Sequence, residues 1–326
     1  MKFKDRIFGQ LDENAFNALA LDIFNYQYKE NNIYRRYVDS LKIVPQTLEH
    51  YSRVPFLPVS FFKTQSVVSG VSIPEKVFLS SGTTGTERSR HNILDLGVYD
   101  ESLIRGFEGF YGPVEDYTFF ALTPTPQQNQ DSSLIYMINR WIMKSKSKDS
   151  GFYLGQEELL SDLLLQHESS GKKALLIGLS YALLDFAEQF PLTLASTIIM
   201  ETGGMKGKRR EMVREELHVN LSERFGCRQI HSEYGMTELL SQAYAKENGY
   251  FRTPSWMKVL IRDTNDPLSF IPDGKTGGIS IIDLANFNSC SFLALQDLGR
   301  INSNGTFEVL GRFDFSDLRG CNLMID

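Results

Sequence analysis

Between residues 76 and 238, short apolar runs alternate with stretches of helical periodicity. This alternation restricts the fold more than any other feature of the sequence. Candidate strands lie at 77–80, 118–123, 174–177 and 197–200, and helix-like stretches at 132–144, 156–168 and 181–190. Strand and helix patterns in turn predict an α/β core with a doubly wound, largely parallel sheet. A further helix is predicted over 205–225, where Val213, Leu217, Leu221 and Phe225 are each four residues apart.

The flanks differ. Near the start, Phe16, Leu19, Ile23 and Tyr26 recur at three- and four-residue spacing and predict one apolar helix face. Pro55 and Pro58 predict an extended path through 54–63, because proline restricts the residue before it. Beyond 238 the pattern turns β-rich, with strands at 257–261 and 279–284, turn-forming residues between them and a further strand ending at Gly311. A small barrel and an antiparallel extension both fit this last part.

Composition excludes several classes. Of the 326 residues, 42% are apolar and 23% charged, which suits a globular chain and not a disordered one. The net charge of −6 argues against a general nucleic-acid binder, which needs a basic stripe to displace counterions. Three widely spaced cysteines, Cys227, Cys290 and Cys321, make neither a disulfide framework nor a zinc set. With no signal-peptide core and no apolar run long enough to span a membrane, a cytoplasmic location is expected.

Three segments carry chemistry. Ser80, Ser81, Gly82, Thr83, Thr84 and Gly85 follow a candidate strand, with Arg88 and Arg90 just beyond. The glycines let amide N–H groups turn inward and the hydroxyls add donors, so the loop can wrap a polyphosphate; a plain turn has the same composition. The second segment is His231, Ser232, Glu233, Tyr234, Gly235, Met236, Thr237 and Glu238. Here Glu238 can hold Mg²⁺, which prefers one or two carboxylates plus phosphate oxygens, Thr237 can donate to phosphate and Tyr234 can face a base. A polar turn with a buried tyrosine is the alternative. The third pairs Asp297 with Gly311 and Arg312; an aspartate can accept from two vicinal hydroxyls, whereas two charged β-turns would look the same. Two near-matches are set aside. Lys275 and Thr276 end like a phosphate-binding P-loop but Ser269 stands where its first glycine belongs, and Ser180 lacks the closing glycine of a nucleophile elbow and reads as a helix N-cap.

In this order, the three segments resemble the adenylate-forming superfamily of acyl- and aryl-CoA ligases, luciferases and peptide-synthetase adenylation domains. Residues 80–85 resemble its phosphate loop, Tyr234 to Glu238 its central motif, Asp297 its ribose-binding aspartate and the residues from Gly311 its hinge. Gly203 and Gly204 lie where the family places its adenine-pocket loop. The resemblance implies an adenylate-forming large N-terminal domain with two flavodoxin-like mixed sheets and a small β-rich subdomain, lacking most of the C-terminal lid domain. That domain would occupy 1–312, with an α/β core about 76–240 and a β-rich part about 250–312, followed by a short hinge-like tail at 313–326.

Residues 55–63 and 319–323 resemble the acyl-protein synthetase (LuxE-like) branch. That branch implies activation of a carboxylic, fatty acid by ATP as acyl-AMP, then transfer to a thiol, here Cys321. An acyl-accepting protein or a reductase partner would follow. The implied catalytic residues are Cys321, Glu238, Thr237 and Arg88, with Ser81, Thr83 and Thr84 offsetting phosphate charge and Arg312 adding a donor to the nucleotide. The acid pocket is expected beside Gly203 and Tyr234, and His231 either touches the carboxylate or packs in its strand. The sequence departs from the superfamily in two respects: its last lysine is Lys275, so the lysine of the superfamily's small C-terminal domain has no counterpart, and the phosphate loop ends in Thr86, Glu87 and Arg88 where the superfamily usually has a lysine. A CoA or aryl-acid ligase using an external thiol, or a non-catalytic nucleotide-binding derivative, are the other readings.

Overall fold

The computed structural model describes residues 3–81, 87–205, 208–210 and 212–313. The chain opens with α1 (Lys4–Ile7), α2 (Glu13–Glu30) and α3 (Asn32–Ser40). Asp12 and Asn31 cap the second and third of these, their side chains accepting from the N–H groups of Ala15 and Tyr34. The apolar face of α2 is buried through Phe16, Leu19, Ile23 and Phe24, while Tyr26 is half-buried at its margin. Next come β1 (Leu57–Pro58), α4 (Phe61–Thr64), β2 (Lys76–Leu79) and β3 (Arg90–Ile93). The expected extended path through 54–63 therefore ends at Pro58. Each proline constrains only its predecessor, and nothing beyond Pro58 prevents the helical turn that starts at Phe61.

The α/β core follows: α5 (Leu96–Tyr111), β4 (Thr118–Leu122), α6 (Ser133–Lys144), β5 (Gly151–Phe152), α7 (Glu157–Ser170), β6 (Ala174–Leu179), α8 (Ser180–Gln189), β7 (Ile198–Thr202), α9 (Arg214–Phe225) and β8 (Ile230–Tyr234). Strands β4 and β6 are buried along their whole length, as parallel strands covered on both faces must be. Alternate residues serve opposite faces. Phe119, Ala121, Leu175, Ile177 and Met200 pack with Phe107, Ile138 and Trp141 of α5 and α6. Phe120, Leu122, Leu176 and Ile199 pack with Leu164, Leu183 and Leu221 of α7, α8 and α9.

The helix predicted over 205–225 begins only at Arg214. Gly203 and Gly204 adopt φ of +71° and +68°, a conformation that ends β7 and redirects the chain. The four-residue apolar spacing starts at Val213, which is the residue before the first helical turn. Ser180 is likewise not a cap: α8 starts on it, Leu179 occupies the cap position, and the Ser180 hydroxyl turns to Glu201 instead.

The remaining strands are β9 (Ala243–Ala245), β10 (Phe251–Arg252), β11 (Met257–Arg262), β12 (Gly277–Asp283), β13 (Phe292–Ile301) and β14 (Phe307–Arg312). They join the same sheet as an antiparallel extension, in the order β11-β12-β13-β14-β10-β9-β8-β7-β6-β4-β5, with β1 added parallel to β13. The strands β8, β7, β6, β4 and β5 are mutually parallel, and β2 and β3 form a separate two-stranded sheet. This large mixed sheet places the carboxyl ends of β6, β7 and β8 on one edge, where open α/β sheets present ligand sites.

Candidate functional site

Strand β8 ends in Tyr234, whose hydroxyl donates to Asp297 Oδ2 of β13 across 2.7 Å. The tyrosine ring is braced against Phe251 and Phe307, with centroids 5.7 and 5.9 Å away. Asp297 is paired in register with Arg312 of β14, and Arg312 Nε donates to its other oxygen at 3.2 Å. The third sequence segment is therefore strand, not a pair of turns. The aspartate is buried and the arginine side chain is 77% exposed, so Asp297 is fixed while the guanidinium faces outward.

Glu238 lies just beyond, 4% exposed. Burial pushes its pKa up, only partly offset by the Ser89 hydroxyl. Among the described residues no group of three or more His, Cys, Asp or Glu is arranged to hold a metal. A single buried carboxylate is the donor set suited to Mg²⁺ carried in on phosphate oxygens, and not to an all-protein cage. The chain around Glu238 is held from two sides. His91 Nδ1 of β3 lies 2.7 Å from the Thr237 carbonyl, and Asn286 Nδ2 donates to the Glu238 carbonyl at 2.8 Å. Burial pushes the His91 ring down to about 4, so the neutral form predominates at physiological pH.

Of the segment expected to wrap phosphate, the described residues include only the stem. Ser80 Oγ accepts from the Ser89 N–H at 2.9 Å, closing the stem between β2 and β3. Arg88 folds back on this stem, with Nε 2.5 Å from the Ser80 carbonyl. Ser81 is exposed beside it. Gly82, Thr83, Thr84, Gly85 and Cys321 lie outside the described residues. The stem and the central motif are thus joined through His91, while Arg88 is engaged locally.

Gly203 and Gly204 follow β7, and Gly235 follows β8, so all three occur at the carboxyl edge of the parallel strands. Two carboxylates that the sequence reading passed over flank them. Glu201 accepts from Ser180 Oγ at 3.1 Å and from Arg214 Nε at 3.2 Å, with His218 Nε2 3.6 Å away. Burial alone would raise its pKa, but the His218 and Arg214 contacts outweigh it and bring Glu201 down to about 2. Glu233 faces the opposite side of the sheet and accepts from Thr202 Oγ1 at 2.5 Å. Burial pushes it up to about 7 against that hydrogen bond. The apolar run of β7 could have marked Glu201, which interrupts it, whereas Glu233 stands in the polar sequence of β8 with no such signal. His231 is packed, its Nδ1 3.1 Å from the Tyr111 hydroxyl.

Among solved structures, the chain is similar to 2-hydroxyisobutyryl-CoA ligase in complex with 2-HIB-AMP and CoA. The TM-score is 0.70 at 14% identity, covering 93% of this chain and 68% of that one. It is also similar to ATP-bound MatB from Rhodopseudomonas palustris, with a TM-score of 0.55 at 14% identity, covering 72% of this chain and 47% of that one. At this identity the likeness shows a shared fold. No protein-family model matches the sequence, and no curated protein matches it. No helix among the described residues is long and apolar enough to cross a membrane.

Proposed function

We propose that this protein activates a carboxylic acid with ATP as an acyl-adenylate and passes the acyl group to a thiol. The observation that carries this reading is the convergence of Tyr234, Asp297 and Arg312 beside the buried Glu238, at the carboxyl edge of the sheet. Asp297 would accept from ribose hydroxyls, Arg312 would add a donor, and Gly203, Gly204 and Tyr234 would border the base. Glu238 would hold Mg²⁺, and the ion would offset charge on the phosphate oxygens. The hydroxyls of Ser80, Ser81, Thr83, Thr84 and Thr237 would add donors to those oxygens. Arg88 would have to leave the Ser80 carbonyl to join them.

Two acceptors are distinguished by experiment. In the acyl-protein synthetase reading the thiol is Cys321, as the LuxE-like resemblance implies, and a protein or reductase partner then takes the acyl group. In the second reading the thiol is external, which the CoA bound in the structurally similar ligase supports. Purified protein is incubated with ATP, Mg²⁺ and a panel of acids, beside Cys321→Ala, and analysed by mass spectrometry. A hydroxylamine-sensitive acyl mass lost in the variant supports Cys321. AMP without an acyl mass selects the external thiol, and AMP from no acid overturns the adenylation reading.

A further inference from the structure

Next to the nucleotide-facing residues, the sheet face beneath α5 holds polar atoms that the fold itself leaves unused. Tyr244 of β9 is paired in register with Glu233 of β8, so the two side chains share that face. The Tyr244 ring is 1% exposed and wedged against Phe107, Phe110 and Tyr111. Its hydroxyl has no hydrogen-bond partner among the described residues. Gln242, two residues earlier and 4% exposed, has its carbonyl oxygen unpartnered in the same way.

Glu233 and Gln242 converge. A Cβ placed on Gly235 would lie 2.6 Å from Glu233 Oε1 and 3.2 Å from Gln242 Cγ, so both side chains crowd the glycine that follows Tyr234. Leaving one buried polar atom unpaired costs its full desolvation, and here two occur within three residues, Gln242 just before β9 and Tyr244 on it. Phenylalanine and methionine would fill the same volume without that cost. Glu233 adds a carboxyl that burial pushes up to about 7, so a substantial fraction carries a proton and can donate.

We propose that Glu233, Gln242 and Tyr244 form a recognition subsite for the non-reacting part of the acid. The subsite takes an acid whose tail carries a neutral hydrogen-bonding group, such as a hydroxyl or a carboxamide, in place of a plain alkyl chain. A hydroxyl both donates and accepts, so it suits an acceptor such as the Gln242 carbonyl oxygen and equally a hydroxyl such as that of Tyr244. This inference rests on the adenylation reading above, and it departs from the fatty acid implied by the LuxE-like resemblance.

The test compares kcat/KM for AMP formation across matched acids of equal length, each alkanoic acid beside its hydroxylated and carboxamide counterparts. It is run on the wild type, Tyr244→Phe and Gln242→Met. A site built to bond a polar group should favour one polar acid over its alkyl match by at least about tenfold. Both variants should bring that ratio close to one while the melting temperature holds or rises, because each removes an unpaired buried polar atom. If the wild type turns over alkanoic acids as well as every polar counterpart, the subsite is wrong although adenylation stands. A polar preference that survives in both variants overturns it equally. AMP from no acid defeats the adenylation reading and the subsite with it.

Discussion

Tyr234 and Asp297 stand 63 residues apart in the chain, yet a 2.7 Å hydrogen bond joins them across three intervening strands, β9, β10 and β14. The bond ties the parallel half of the sheet to its antiparallel extension at the point where a nucleotide would lie. Tyr234→Phe removes the donor and leaves Asp297 buried with Arg312 alone. The expected loss of stability is about 2 kcal/mol, typical of a hydrogen bond to a charged group, with a several-fold higher KM for ATP. Urea denaturation and ATP titration of pyrophosphate exchange measure the two effects separately.

Arg312→Ala should separate binding from folding. Its side chain is 77% exposed, so the pair with Asp297 contributes little to stability, within about 1 kcal/mol. ATP binding should nonetheless weaken by roughly tenfold, the loss of one charge-assisted hydrogen bond. A large fall in melting temperature with unchanged ATP affinity would show that the arginine serves the sheet only.

Glu238→Gln keeps the shape and removes a buried charge. Because burial opposes ionisation of Glu238, the variant should be as stable as the wild type or more so. AMP formation should fall by at least about a hundredfold, the scale of losing one electrostatic stabiliser. Raising Mg²⁺ should not restore it. Thermal denaturation beside a magnesium titration of activity checks both expectations.

The acid limb of stability should reflect His91 and Glu201. His91 has a folded-state pKa lowered to about 4, so the stability of its neutral, buried form is present above pH 6.5 and is lost as pH falls from there towards 4. Glu201 is lowered to about 2, so its contribution is present above pH 4.5 and disappears between there and about 2. Glu233 has the opposite sign. With its pKa raised to about 7, its destabilising effect grows as pH rises from 4.5 to 7. Glu201→Gln should therefore cost on the order of 3 kcal/mol at neutral pH and little at pH 2. Melting temperatures of wild type and variant from pH 2 to 8 would show whether the curves converge on the acid side.

The alternation of apolar runs and helical patterns determined the α/β core, because strands buried on both faces and their crossover helices differ in period and length. Tyr234, Glu238 and Asp297 were legible for the same local reason: each lies in a short polar segment with a recognisable arrangement of side-chain types. Local pattern was less informative between the positive-φ Gly203 and Gly204 and the helix that starts only at Arg214, and at Ser180, whose hydroxyl bonds to Glu201 of the neighbouring strand. What only the tertiary structure decided are the groupings. The Tyr234–Asp297 bond, the clasp of His91 and Asn286 on the chain at Glu238, and the unpartnered oxygens of Gln242 and Tyr244 all depend on strand order and burial. Periodicity records which side chains turn inward; it carries no information about which buried groups meet, because those distances are set by the pairing of strands far apart in the chain.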